Sequence, residues 1–171
     1  MSQTIGSASR AGQPPMIDIR RAGPADAASV ADLFLASFRT ALPTVRRVHS
    51  DEQVRTWIRD HVLAETETWV ALEADQIVGI VSLAPGWLEH LYIAPDRLGK
   101  GIGRRLLELA KERAEGSLEL WTFQVNDRAR RFYEHHGFVA IEQTDGSGNE
   151  QHEPDIRYRW TAGKPIEPSS A

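Results

Sequence analysis

The chain has 171 residues, of which 41% are hydrophobic and 26% charged, with a formal net charge of −4 at pH 7. That length suits one folded domain with a sizeable core, and the acidic balance argues against a protein that coats nucleic acid, which needs clustered excess Lys and Arg. The absence of cysteine removes disulfides, thiolate metal sites and an acyl-cysteine intermediate together.

Segment 1–15 is rich in Ser, Gly and Ala and has no apolar run. It reads as a disordered N-terminal tail, neither signal peptide nor membrane span, which makes the cytoplasm the default location. Residues 16–20 alternate apolar and polar side chains as a strand does. A helix starts near Pro24, because Ala27, Val30, Ala31, Phe34, Leu35 and Phe38 recur at helical spacing, and Pro43 breaks it. The loop 40–49 that follows carries Arg46, Arg47 and His49, which either recognise an acceptor bearing a carboxylate or phosphate or are simply solvated. Ser50 and Gln53 form a capping box for a second helix that buries Val54, Trp57, Ile58 and His61 or Val62.

Segments 68–72 and 76–84 are rich in Val, Ile and Trp and flank a short acidic turn, which predicts an antiparallel hairpin. Pro85-Gly86 turns the chain again into a strand over 87–93. Strict alternation there puts Trp87, Glu89, Leu91 and Ile93 on one face and Leu88, His90 and Tyr92 on the other. Next comes Leu98-Gly99-Lys100-Gly101-Ile102-Gly103, between that strand and an amphipathic helix over 103–115. Alternate glycines leave the backbone bare where a strand hands over to a helix, so successive N–H groups can converge on one anion, aided by the helix N-terminus and by Arg104. It is not a Walker A loop, since Gly101 rather than Ser or Thr follows Lys100, nor a dinucleotide fingerprint, since Arg104 stands where that needs glycine.

Residues 118–125 form the next strand, so strand, loop, helix and strand make a unit with parallel strands. Asn126 then caps a helix in which Ala129, Phe132, Tyr133 and His136 share one face and Gly137 is the terminating residue. Segments 139–144 and 155–160 predict a last hairpin around the polar loop 145–153. The whole reads as α/β, a mixed sheet flanked by helices over residues 16–162, followed by a C-terminal tail, 163–171.

The glycine loop and the run Asn126-x-x-Ala129-x-x-Phe132-Tyr133-x-x-x-Gly137-Phe138 together resemble the GNAT superfamily of N-acetyltransferases. Its pyrophosphate loop reads Arg/Gln-x-x-Gly-x-Gly/Ala, and its later helix reads Asn-x-x-Ala-x-x-Phe-Tyr-x-x-x-Gly-Phe. The resemblance spans residues 17–160, with its specific part in 88–138. Leu98 stands where the family has Arg or Gln, a position that contributes mainly its backbone N–H, and Arg97 precedes it. The resemblance implies a mostly antiparallel mixed sheet in which two neighbouring parallel strands splay apart to admit coenzyme A. It also implies that Leu91, Tyr92 and Ile93 offer backbone groups to the pantetheine arm and that Leu98, Gly99, Lys100, Gly101, Ile102, Gly103 and Arg104 hold the pyrophosphate. Asn126 would hydrogen-bond the cofactor, cap its helix, or do both.

Direct acetyl transfer from acetyl-CoA to a primary amine of a small molecule, peptide or protein is the activity so implied. The amine must lose a proton against a pKa of about 10.4, and the thiolate leaving group, of pKa about 8.5, gains from a donor. Tyr133 matches the family's tyrosine and is the candidate acid, the alternative being a packed tyrosine with a satisfied hydroxyl. Glu89, two residues before Leu91, is the candidate base, with His90, bulk water or a residue of the 40–49 loop as alternatives. A coenzyme A-binding module with weak catalysis and a regulatory role, or transfer of another acyl group, is the competing reading. The scattered histidines lack metal-ligand spacing, so no metal is expected, nor a nucleic-acid or membrane partner. A monomer or a homodimer fits equally well.

Overall fold

The computed structural model describes residues 16–163; the predicted tail 1–15, and the predicted tail 163–171 beyond its first residue, lie outside them. The strands are β1 (Ile17–Arg21), β2 (Glu67–Glu73), β3 (Gln76–Ala84), β4 (Trp87–Ile93), β5 (Ser117–Phe123), β6 (Val139–Gln143) and β7 (Asp155–Thr161). The helices are α1 (Ala27–Ala41), α2 (Asp51–Trp57), α3 (Leu63–Glu65), α4 (Ile102–Arg113) and α5 (Asp127–His135), with a π-helical turn at Ile58–Val62 joining α2 to α3. One sheet of order β1-β2-β3-β4-β5-β7-β6 holds all seven strands, and every pairing is antiparallel except β4 with β5.

Both faces of the central strands are covered, which is why β3 reads as a nearly continuous apolar run. On one face Ile80 and Val70 pack under Val30, Ala31 and Ile58 from α1 and the π-turn. On the other, Val81 and Ala71 meet Ile102, Leu106, Leu107 and Ala110 of α4. Burying a Leu or Ile side chain of this kind is worth about 1.5–3 kcal/mol, so these two layers hold both flanking helix sets to the sheet. The Ser50–Gln53 capping box forms as read, with the Gln53 N–H donating to Ser50 Oγ and the Ser50 N–H to Gln53 Oε1. Val62 rather than His61 is the buried alternative.

The helix α5 is fixed at its C-terminus by local chemistry. Gly137 has φ +84°, the Phe138 N–H donates to the Tyr133 carbonyl at 3.0 Å, and the Gly137 N–H donates to that of Glu134 at 3.1 Å. That is a Schellman motif, completed by contact between the Tyr133 and Phe138 rings at 5.5 Å. Lys111 of α4 donates from Nζ to the His136 carbonyl at 2.6 Å, placing a cation at the negative end of the α5 dipole. The carbonyl groups around Tyr133 are thereby tied to a glycine, a core phenylalanine and the neighbouring helix.

Candidate active site

The strands β4 and β5 share a single register pair, Trp87 with Glu119, and then part. Past that point β4 keeps its β3 partners, Leu91 with Val81, Tyr92 with Ile80 and Ile93 with Gly79, while its other edge has no strand among the described residues. A cleft of about 990 Å³ occupies the opening. Its lining includes Leu91, Tyr92 and Ile93 from β4, Leu98, Gly99, Gly101, Ile102, Gly103 and Arg104 from the loop and α4, and Asn126 and Tyr133 from α5 and its cap. Of the predicted cofactor-binding residues only Lys100 is not part of that lining.

The loop has the expected geometry. Gly99 and Gly101 lie at φ +78° and +80°, where a side chain is strained, and Gly101 caps α4 without any side-chain acceptor. Among the described residues no acceptor stands against the N–H groups of Gly99 to Arg104, which leaves a run of donors at a helix N-terminus facing the cleft. The Arg104 guanidinium pairs with Glu108 at 2.8 Å and Arg97 with Glu73 and Asp96, so the loop presents amides and partly occupied cations.

The alternation expected of β4 is broken. The register steps from Ser82–His90 to Leu83–Leu88, so Glu89 is the extra residue of a β-bulge. The consequence is that Leu88 joins Leu91 and Ile93 on the α4 side, whereas His90 and Tyr92 alone face α1. Glu89 is exposed and lines the cleft. Nothing in the sequence short of the pairing with β3 marks such a bulge.

Tyr133 is 7% exposed, yet its hydroxyl has no hydrogen-bond partner among the described residues and opens on the cleft. Burial, followed by the nearby Tyr92 phenol, pushes its pKa well above the ordinary tyrosine value. Burial also pushes Tyr92 up to about 12 and His90 down to about 4. His90 is therefore a neutral imidazole at neutral pH, set among Phe34, Trp57 and Tyr92 with ring centroids 5.1–6.4 Å away. Asn126 uses Oδ1 to accept the Ala129 N–H at 3.1 Å as the helix cap, while its amide nitrogen has no partner among the described residues. The cap and a donor toward the cleft coexist in this one side chain.

The remaining wall comes from α1, through Ser37, Phe38 and Leu42, and from the β6–β7 loop, through Thr144, Ser147 and Asn149. Arg46, Arg47 and His49 do not line it. Arg47 and Arg39 both pair with Asp51, and His49 bonds Glu150 at 2.8 Å, tying the loop after α1 to the β6–β7 loop. Sequence reasoning missed Asp155, Asn149 and Thr144. Their concentration of short polar side chains in one hairpin loop was the available signal. Among the described residues no group of three or more His, Asp or Glu is placed to hold a metal ion, and no helix is long and apolar enough to cross a membrane.

The Acetyltransferase (GNAT) domain family matches residues 64–140, the stretch that holds β4, the glycine loop and α5. The chain is 26% identical over 134 residues to the uncharacterized N-acetyltransferase YafP of Escherichia coli, covering 74% of this chain and 84% of that protein. It is 38% identical over 97 residues to the peptidyl-lysine N-acetyltransferase YjaB of E. coli, covering 54% of this chain and 65% of YjaB, just under two thirds of that relative's length. The solution structure of apo YjaB superimposes with a TM-score of 0.71 at 25% identity, over 85% of this chain and 97% of that one. PaiA N-acetyltransferase from Thermoplasma acidophilum, solved with coenzyme A, shares the fold at a TM-score of 0.68 and 22% identity, over 85% and 99% of the two chains.

Proposed function

Because the chain belongs to the GNAT superfamily of N-acetyltransferases, we propose that it transfers acetyl from acetyl-CoA directly to a primary amine of a small molecule, peptide or protein. One observation carries this reading: a run of unengaged loop amides, an unpaired strand edge and a partnerless phenol all open on the same cleft. In this reading the diphosphate takes the N–H groups of Gly99 and Gly101 to Arg104, and Asn126 adds its amide. The pantetheine amides run along the free edge of Leu91 to Ile93.

The acceptor nitrogen attacks the thioester carbon, the N–C bond forms, the C–S bond breaks and the amine gives up a proton. The bulge at Glu89 takes one peptide unit out of the β3 ladder, which frees one backbone N–H for the oxyanion. Glu89 takes the amine proton, directly or through water. Tyr133 donates to the departing sulfur. Its raised pKa keeps the phenol protonated and makes complete transfer to a thiolate of pKa about 8.5 uphill, so its main contribution is a hydrogen bond that strengthens as charge builds on sulfur.

Calorimetric titration with acetyl-CoA, followed by thiol release across a panel of amines, tests the proposal. Saturable binding with amine-dependent release is expected. Tight binding without release from any amine would mark a regulatory coenzyme A-binding module instead, and no binding would remove the reading altogether.

A further inference from the structure

Charge is distributed unevenly along the cleft. Its arginines, Arg97, Arg104 and Arg128, lie at the glycine loop and the start of α5, whereas its carboxylates, Glu89, Glu142 and Asp155, come from β4, β6 and β7. Arg157 neutralises Glu142 at 2.7 Å. Among the described residues no cationic side chain pairs with Glu89 or Asp155.

Asp155 is held rigidly. Its carboxylate accepts from Thr144 Oγ1 and from Asn149 Nδ2, and its main-chain carbonyl accepts from Gln124 Nε2 at 3.0 Å. A carboxylate offers about four acceptor sites, so two remain for a ligand. Phe38, Leu42 and Phe123, which also line the cleft, pack together as an apolar floor on that side. The Tyr133 side chain, 7% exposed and with no hydrogen-bond partner for its hydroxyl among the described residues, opens on the same cleft and marks it as a place where a ligand belongs. On the α1 side of the cleft an acidic acceptor finds no counter-charge among the described residues. Arg39 and Arg47 are committed to Asp51 and His49 to Glu150, and the exposed Arg46 is outside the lining.

We propose that Asp155 anchors a second positive charge on the acceptor, so that the favoured acceptors are cationic diamines, a reactive primary amine joined by an aliphatic stem to a second ammonium. This rests on the acetyl-transfer reading and adds the acceptor class to it. The stem lies on Phe38, Leu42 and Phe123, and the far ammonium donates to the free positions of the Asp155 carboxylate.

The test compares three ligands of one length, an alkyl diamine, the matching monoamine and the matching ω-amino acid, by calorimetric binding to the full chain with and without coenzyme A and by thiol release from acetyl-CoA. The diamine is expected to bind about tenfold tighter than the monoamine, as one charge-assisted hydrogen bond provides, and the ω-amino acid weakest. Asp155→Asn is expected to bring the diamine-to-monoamine ratio toward one. Equal binding of the three, tightest binding of the amino acid, or an unchanged ratio in Asp155→Asn overturns the proposal. If that variant unfolds, the ranking on the wild-type protein decides. Absent thiol release with every amine would overturn the transfer reading alone, because the binding order still reports on Asp155.

Discussion

Trp87 and Glu119 face each other as the single register pair between β4 and β5, and the Glu119 N–H donates to the Gly86 carbonyl at 2.9 Å just beside it. The Glu119 carboxylate is itself gripped from β7, by Arg159 at 2.6 Å and Arg157 at 3.4 Å. The joint of the V-shaped opening is thus pinned from three strands while everything beyond it is free to diverge. A sheet interior offers a ligand no main-chain groups, since each is spent on a neighbour. Splitting one parallel pair after one residue gives β4 an edge without exposing it on the outside of the sheet.

Tyr133→Phe is expected to lower kcat about tenfold or more, the low end of what a positioned acid contributes. The hydroxyl has no partner among the described residues to lose, so the melting temperature should stay within about 2 °C of wild type, which separates a chemical role from a packing role. Steady-state rates and a thermal melt on the same preparation check both halves. Unchanged turnover would leave Tyr133 as a packed side chain.

Much of this was legible in the residues, because each signal was local. The Gly137 end of α5 and the Ser50–Gln53 box each depend on neighbours within six positions and formed as read, and Gly99 and Gly101 of the glycine loop take up left-handed backbone that suits glycine. The Glu89 bulge was not legible, since it exists only as a mismatch between β3 and β4. The commitments of Arg47 and His49 were hidden likewise. Asp51 lies four residues from Arg47, but the choice also involves Arg39, and Glu150 is 101 residues from His49. Long-range pairing decides which charges remain for a ligand, and a single sequence does not record it.

Glu89→Gln removes the proton acceptor but keeps shape and hydrogen bonding at the bulge. The expected result is a kcat loss of about tenfold to a hundredfold with a pH–rate profile that rises later, because the amine must then deprotonate in solution before it attacks. Profiles of kcat/KM for the two proteins, measured over the same pH range, decide it. Superimposable curves would assign the proton to bulk water.

His90 gives the protein an acid weakness that can be located. Its folded-state pKa is about 4, against about 6.5 when unfolded, so between those values only the unfolded chain takes up the proton. Stability should therefore be complete above the higher value, fall as pH drops through the window and level off below the lower one, a loss of about 3 kcal/mol. His90→Phe keeps an aromatic ring among Phe34, Trp57 and Tyr92 and cannot titrate. Urea unfolding at several pH values should show a flatter dependence for the variant than for wild type.

Two loop glycines should separate stability from cofactor affinity. Gly101→Ala places a side chain at φ +80°, with nothing within 4 Å to clash, and so costs about 1 kcal/mol or more from backbone strain alone. Gly103→Ala puts its methyl 3.5 Å from the Phe132 ring, an ordinary contact inside a helix, where alanine gains about 0.5–1 kcal/mol over glycine. Gly103 also lines the cleft at the first turn of α4. Its alanine variant should melt higher yet bind acetyl-CoA more weakly, an outcome that a purely structural role for the loop does not produce.

Gly146 tests whether the β6–β7 loop acts on the acceptor rather than on the cofactor. It lies at φ +81°, and a Cβ there would stand 2.4 Å from the Glu153 carbonyl carbon, so Gly146→Ala must displace backbone. The displacement falls on Thr144, which accepts the Gly146 N–H at 3.0 Å, and on Asn149, which bonds both the amide and the carbonyl of Glu153. Those two side chains hold the Asp155 carboxylate. The glycine loop and α4 share no hydrogen bond with this network among the described residues. The expected signature is a raised KM for the amine with the KM for acetyl-CoA nearly unchanged. Equal increases in both would mean that the loop supports the cleft as a whole and does not select the acceptor.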